Sequence, residues 1–234
     1  MILNLYLRKL LTPILVINFI LIGVITFDYA EHFARWFVFG LLFFTLIKIN
    51  ARDINMTGLL CIIIFERSIE EIAYLLLDNF NVKVFVYLSA LIVLYIFKYD
   101  KLVKLFCIPL VALVILVELF WWFSGYDSPR LHPYVFMLLL NLITRHLLFM
   151  RVPLTDRYAT GGKSLPLDWK IYGLAKWSVL VIGVMLIEYL IRHVTPLNPL
   201  NIYYIYTPLM HAIAVTTLFF VTDDYLRSRF VLDA

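Results

Sequence analysis

The sequence has 234 residues, of which 63% are hydrophobic, 17% aromatic and only 15% charged, and its mean hydropathy is +0.91. Soluble globular chains are close to half apolar and a quarter charged, so this composition is typical of a membrane protein and leaves no polar segment long enough for a separate soluble domain. The net charge of +4 comes from basic residues dispersed over several connections, which argues against a nucleic-acid partner. We therefore predict one all-α integral membrane domain over residues 1–234.

Charged and turn-forming residues divide the chain into about eight apolar segments, each near the ~20 residues that a helix needs to cross a ~30 Å hydrocarbon core. The first segment follows Arg8 and Lys9 and has no small-residue cleavage site after it, so we interpret it as a retained helix rather than a secretion signal. The second is short and carries Arg35 near its start, which makes a tilted or re-entrant helix an alternative there. The predicted helices span 10–27, 33–49, 57–78, 82–98, 103–124, 132–150, 170–192 and 200–222.

The distribution of basic residues between the connections predicts the orientation of these helices. Thirteen of the 20 Lys and Arg residues lie in one alternating set of connections, and only four lie in the other set. Because cytoplasmic connections are enriched in Lys and Arg, the alternation predicts four helical hairpins with the N- and C-termini both in the cytoplasm. The cytoplasmic side then carries a basic connection over 98–104, a loop over 151–169 and a tail over 223–234.

The third segment, CIIIFERSIEEIAYLLLD over 61–78, places Glu66, Arg67, Glu70 and Glu71 between two apolar ends. Arg67 lies three residues before Glu70 and four before Glu71, so on a helix it can pair with either carboxylate. An ionisable residue at the bilayer centre costs roughly 2.5–3.5 kcal/mol on insertion scales, so three carboxylates cannot face lipid. We favour a helix that lines a polar path, with its three carboxylates on the path and Arg67 as their counter-charge. A buried ion-pair network that fixes helix packing is the alternative.

Two other helices carry a glutamate closer to the outer surface. Glu118 has no cation in its own helix, so we place it on the path as a second partner of Arg67. Glu188 is followed four residues later by Arg192, which favours an ordinary helical ion pair. A tyrosine follows Glu71, Glu118 and Glu188 at the same distance of 16 residues. This spacing indicates either an internal repeat of the kind that builds transporters or a coincidence among interfacial tyrosines.

The sixth and eighth segments each contribute a polar residue near mid-membrane. We expect Asn141 to make an interhelical hydrogen bond. His211, three residues after Pro208, is either a proton relay or ligand-binding group, or a polar residue that donates to a neighbouring helix. No GxSxG, HExxH or paired CxxC pattern occurs, and GGKS at 161–164 lacks the leading glycine of a phosphate loop. We therefore predict no catalytic residue, no metal site and no cofactor.

Three functional hypotheses follow. The leading one is a permeation or transport subunit of the bacterial inner (cytoplasmic) membrane that conducts a cation or proton, because carboxylates in a path favour positive charge. The chain is short for a complete transporter, so we expect a homo-oligomer or an assembly with other membrane subunits within the lipid bilayer. The alternative is a non-conducting scaffold, anchor or sensor that recruits a soluble cytoplasmic protein at 98–104, 151–169 or 223–234. An intramembrane enzyme that uses His146 or His211 is the third.

Overall fold

A computed structural model of the chain describes residues 2–76, 80–126 and 130–231. The protein is 88% helical, and the described ranges contain no strand, so the all-α prediction is confirmed. Each of the eight predicted segments coincides with a helix, although residues 77–78 of the third segment lie outside the described ranges. The helices are α1 Ile2–Ile25, α2 Ala30–Asn50, α3 Ile54–Leu76, α4 Phe80–Ile96, α5 Ile108–Ser124, α6 His132–Phe149, α7 Arg151–Ala159, α8 Pro166–Val194 and α9 Asn201–Val231.

Three helical segments of the described chain are long and apolar enough to cross a membrane, which supports a membrane location. The first is Val103–Ser124, which consists of a π-helical turn followed directly by α5. The second is α8, Pro166–Val194, and the third is Asn201–Arg227 within α9. Helices α6 and α7 meet the same criterion as a pair bent by 63°, which makes up to four candidate spans. Shorter apolar helical segments occur at Leu10–Ile25 and Val82–Ile96.

The turn between α2 and α3 fixes where α3 begins. Arg52 adopts a left-handed conformation with φ of 56° at the position where helices usually end on glycine. The N–H of Asp53 donates to the carbonyl of Lys48 at 2.9 Å, and that of Arg52 donates to Ile49 at 3.0 Å, which is the Schellman arrangement. Asp53 then caps α3, because its Oδ1 accepts the N–H of Met56 at 3.1 Å while its Oδ2 pairs with Lys48 at 2.9 Å.

The prediction of a loop over 151–169 was wrong for its first nine residues, which form α7. Pro153 stands in the first turn of α7, where an N–H has no intrahelical partner in any case, so the proline does not prevent a helix. After α7, Asp156 Oδ1 accepts the N–H groups of Gly161 and Gly162 at 3.0 and 3.3 Å and turns the chain. The polar composition of the segment and its Gly161-Gly162 pair favoured a loop, so the sequence did not indicate this short helix.

Helix α8 begins at Pro166, four residues before the predicted start. Proline is well suited to the first helical position because its φ is already helical and its missing N–H is not needed. Asp168 Oδ2 accepts the N–H of Leu165 at 2.8 Å, which is the reciprocal half of a capping box. A proline and a carboxylate two residues apart therefore start the helix here.

The chain divides into two compact units whose segments alternate along the sequence. In unit 1 the fully buried side chains include Phe37, Leu41 and Leu59, and in unit 2 they include Leu131 and Leu138. The prediction of one domain over 1–234 stays a prediction. Unit 1 comprises Met1–Ile64, Leu147–Leu174 and Thr207–Ala234, and unit 2 comprises Phe65–His146 and Ala175–Tyr206.

Candidate functional site

The charged residues of α3 all lie in unit 2. Glu66 and Glu70 are four residues apart and are therefore neighbours on the helix surface. Glu66 is buried and Glu70 partly buried, whereas Glu71 is exposed. Arg67 Nη1 donates to Glu70 Oε2 at 2.5 Å, an i,i+3 ion pair in which both side chains are partly buried. Of the two carboxylates that the spacing offered to Arg67, Glu70 is therefore its ion-pair partner.

Glu66 is the buried carboxylate of α3, with 8% of its surface exposed. In the ranges that the structure describes, no hydrogen bond or ion pair joins its carboxylate to another residue. Arg67 is the single basic residue within Ile54–Leu76, and it bonds to Glu70. The segment from Glu66 to Glu71 thus has a formal charge of −2.

Glu118 has a cationic partner other than the one predicted. Its side chain, 7% exposed, forms an ion pair with Lys83 and accepts a hydrogen bond from the hydroxyl of Tyr87 at 2.9 Å. Lys83 and Tyr87 are four residues apart and so share one face of α4. The prediction that Glu118 is a partner of Arg67 was wrong, because α4 brings its own cation to α5. The i,i+4 spacing of Lys83 and Tyr87 in α4 is the sequence feature that could have indicated a binding face for a carboxylate.

Glu188 is a helix cap rather than half of an i,i+4 ion pair. Its two carboxylate oxygens accept the backbone N–H groups of Ile202 and Tyr203 at 2.7 and 2.8 Å, in the first turn of α9. Free N–H groups and the positive end of the helix dipole make this turn a favourable place for a carboxylate. The predicted pairing with Arg192 was wrong, since that guanidinium lies over the rings of Tyr189 and Tyr203, 5.1 and 5.5 Å from their centroids.

The three glutamates of the suggested repeat have different surroundings. Glu71 is exposed, Glu118 is in an ion pair and Glu188 caps a helix. The tyrosine that bonds to Glu118 is Tyr87, 31 positions earlier, rather than the one 16 positions later. The contacts made by these residues therefore do not repeat from one hairpin to the next.

Asn141 and His211 lie in different units, Asn141 in unit 2 and His211 in unit 1. The side-chain amide of Asn141 donates to the carbonyl of Met137 at 3.0 Å within α6, so the predicted interhelical bond was wrong. A buried amide can satisfy its donor on the carbonyl four residues earlier without a second helix. His211 does reach a neighbouring helix, as one of its two interpretations predicted, because its Nε2 lies 3.2 Å from the carbonyl oxygen of Gly23 in α1.

A polar cluster in the described part of unit 1 surrounds Arg151, the first residue of α7. Its guanidinium is 1% exposed and bonds bidentately to Asp168, with both N–O distances 2.6 Å. It also donates to the carbonyl of Lys163 at 2.5 Å and to the carbonyl and side-chain oxygens of Asn55 at 3.1 and 3.3 Å. Asn55 lies 96 residues before Arg151, and Lys163 and Asp168 follow it by 12 and 17 residues, so no helical spacing marks this cluster.

Within the described residues, no group of three or more His, Cys, Asp or Glu side chains is arranged to hold a metal ion. The chemistry that the arrangement offers is electrostatic, with a carboxylate, Glu66, beside a neutralised Arg67–Glu70 pair. A scan against protein-family models found no match to the chain, and searches of curated proteins and of solved structures found none either.

Proposed function

We propose that the protein is a membrane-embedded permeation or transport subunit in which α3 lines a path for a cation or a proton. The observation that carries this proposal is the carboxylate of Glu66, which is 8% exposed and has no ion-pair or hydrogen-bond partner among the described residues. Glu70 and Glu71 are the other carboxylates of this helix on the proposed path, and Arg67, paired with Glu70, is the internal counter-charge. Glu118 is a further carboxylate of the path and forms an ion pair with Lys83.

The energetics of burial favour a functional reason for Glu66. Removing an ion from water costs several kcal/mol even after the protein relaxes, and a partner must offset that cost. Glu70 and Glu118 each have such a partner in the structure. For Glu66 we propose that a transient cation or proton supplies this offset, beside the charge of the neighbouring Arg67, which acts on it electrostatically. Ionisable groups that line a path through a membrane meet this description.

The finer topology belongs to the same proposal. We propose eight membrane-spanning helices in four hairpins, with both termini in the cytoplasm of a bacterial cell and the chain in its inner membrane. The alternation of basic connections and the coincidence of eight helices with eight apolar segments support this count. A subunit of this size would conduct as a homo-oligomer or with other membrane subunits, and a soluble partner would meet 98–104, 151–169 or 223–234.

The test compares two buried carboxylates that receive the same substitution. The protein is reconstituted in liposomes, and proton and K⁺ fluxes are measured for wild type, Glu66→Gln and Glu188→Gln, together with the unfolding midpoint of each in detergent. We expect Glu66→Gln to lower flux at least tenfold and to leave the midpoint unchanged or raised, because it removes a buried charge without a partner. Glu188→Gln lowers the midpoint, because it weakens two bonds to backbone N–H groups, but keeps the flux per folded protein.

The proposal fails if well-assembled wild-type protein conducts neither ion, and the scaffold hypothesis is then favoured. It also fails if Glu66→Gln conducts as wild type does. Loss of flux together with a lower midpoint in Glu66→Gln would assign the residue to helix packing instead. Glu71→Gln, at an exposed position of the same helix, measures how far along α3 the path extends.

A further inference from the structure

A groove in unit 1 runs between α1, with the turn that follows it, and α9. Its volume is about 540 Å³, within the range of sites that hold small molecules. Ten of the twelve residues that line it are apolar or glycine, and aromatic rings from Phe19, Phe27 and Phe219 are among them. The lining residues of α9 lie inside the apolar segment Asn201–Arg227, so an occupant would enter from the bilayer.

Among the polar side-chain atoms of the residues that line the groove, only Nδ1 of His211 has no hydrogen bond within the described chain. Of its two polar side chains, Thr216 donates its hydroxyl proton to the carbonyl of Ala212 at 2.7 Å. His211 is 7% exposed, and both of its hydrogen-bond contacts involve Nε2. No described residue bonds to its Nδ1. The side chains that line the groove are therefore apolar except for two, and Nδ1 of His211 is their one polar atom left to bond an occupant.

The contacts of Nε2 determine what Nδ1 can bind. Nε2 lies 3.2 Å from the carbonyl oxygen of Gly23, which can only accept, so Nε2 must carry a proton. Its other neighbour, Thr26 Oγ1 at 3.1 Å, gives its own proton to the carbonyl of Ile22 at 2.6 Å and therefore accepts as well. In the neutral imidazole Nδ1 is then unprotonated and presents a lone pair. Its partner must be a hydrogen-bond donor.

We propose that this groove binds a membrane lipid alcohol, a neutral amphiphile whose apolar chain fills the groove and whose hydroxyl donates to Nδ1 of His211. Water fits poorly because it would find one protein partner, whereas buried waters usually make two to four hydrogen bonds. A plain hydrocarbon chain would fill the volume but leave Nδ1 without a donor. A hydroxyl at the end of an apolar chain meets both requirements. This site lies in unit 1 and is independent of the function proposed for α3.

Photolabelling of the full-length chain in phosphatidylcholine nanodiscs tests the proposal. The probes are a long-chain alcohol with a diazirine in its chain and the methyl ether of the same alcohol, which cannot donate. We expect the alcohol to label peptides that contain 16–27 and 208–219, and to bind roughly three- to tenfold more tightly than the ether, as one neutral hydrogen bond implies. This comparison uses wild-type protein alone and does not depend on a variant folding.

Two variants separate the hydroxyl from the groove. His211→Gln keeps an N–H near the position of Nε2 but has no polar atom at that of Nδ1, so alcohol binding should fall to the level of the ether. Ala212→Phe adds a ring at an exposed lining position and should reduce labelling by both probes. Equal affinity for alcohol and ether in wild type, or labelling that Ala212→Phe leaves unchanged, would overturn the proposal.

Discussion

Replacing Arg151 by methionine removes the cation on which the polar cluster of unit 1 depends. Five hydrogen bonds are lost, two to Asp168, two to Asn55 and one to the carbonyl of Lys163. Methionine approximates the length of the arginine stem, so the change is mainly one of charge and hydrogen bonding. Asp168, which is itself buried, keeps only its bond from the N–H of Leu165.

The expected cost follows from these contacts. Removing one partner of a buried ion pair destabilises a protein by about 3–5 kcal/mol, because the remaining charge is left without compensation. The guanidinium is 1% exposed, so solvent screens the pair little, and we expect a value near the upper end of that range. The carbonyls of Asn55 and Lys163 also lose the guanidinium as a donor, whereas Asn55 Oδ1 keeps the N–H of Lys163 at 2.7 Å. The region over 160–165 should loosen as a result.

The assay is SDS-induced unfolding in mixed micelles, followed by the fluorescence of the five tryptophans, with hydrogen exchange of residues 160–165 as a local readout. Arg157→Met is the matched control, because Arg157 is an exposed arginine in the same helix and should change the free energy of unfolding by less than about 0.5 kcal/mol. Arg151→Met combined with Asp168→Asn should cost about 2–3 kcal/mol less than the sum of the single changes, since the two residues are directly coupled. A cost for Arg151→Met within 1 kcal/mol of the control, with unchanged exchange, would refute this account of the cluster.

Two further predictions concern packing and charge in unit 2. Gly183→Ala should lower the free energy of unfolding by about 1–2 kcal/mol, because its Cβ would overlap the ring of Phe106, with Cζ only 2.5 Å away. Gly173→Ala, in the same helix with open space around the new Cβ, should instead raise it by about 0.5–1 kcal/mol, and equal effects of the two would contradict the packing seen here. Lys83→Met should cost about 2–3 kcal/mol because it leaves the buried carboxylate of Glu118 with one hydroxyl partner. Adding Glu118→Gln should recover much of that loss in the same assay, and no recovery would show that Lys83 acts through something other than this pair.

Local sequence features predicted the helices well and their side-chain partners poorly. Apolar runs interrupted by charged residues located eight helices, because the period of a helix and the cost of burying charge are both local properties. The pairing of Arg67 with Glu70 was predictable for the same reason, since three positions on one helix place the groups side by side. α7 was missed because nine residues are too few to show a clear period.

What the sequence determined by itself is an all-α membrane chain with an excess of carboxylates in its third helix. The tertiary structure decided which partner each polar residue has. Lys83 rather than Arg67 meets Glu118, the amides of Ile202 and Tyr203 rather than Arg192 meet Glu188, and Arg151 gathers residues from three separate segments. The physical reason is that a helix fixes neighbours only three or four positions away. Longer-range partners depend on how helices pack, which the order of residues along one helix does not encode.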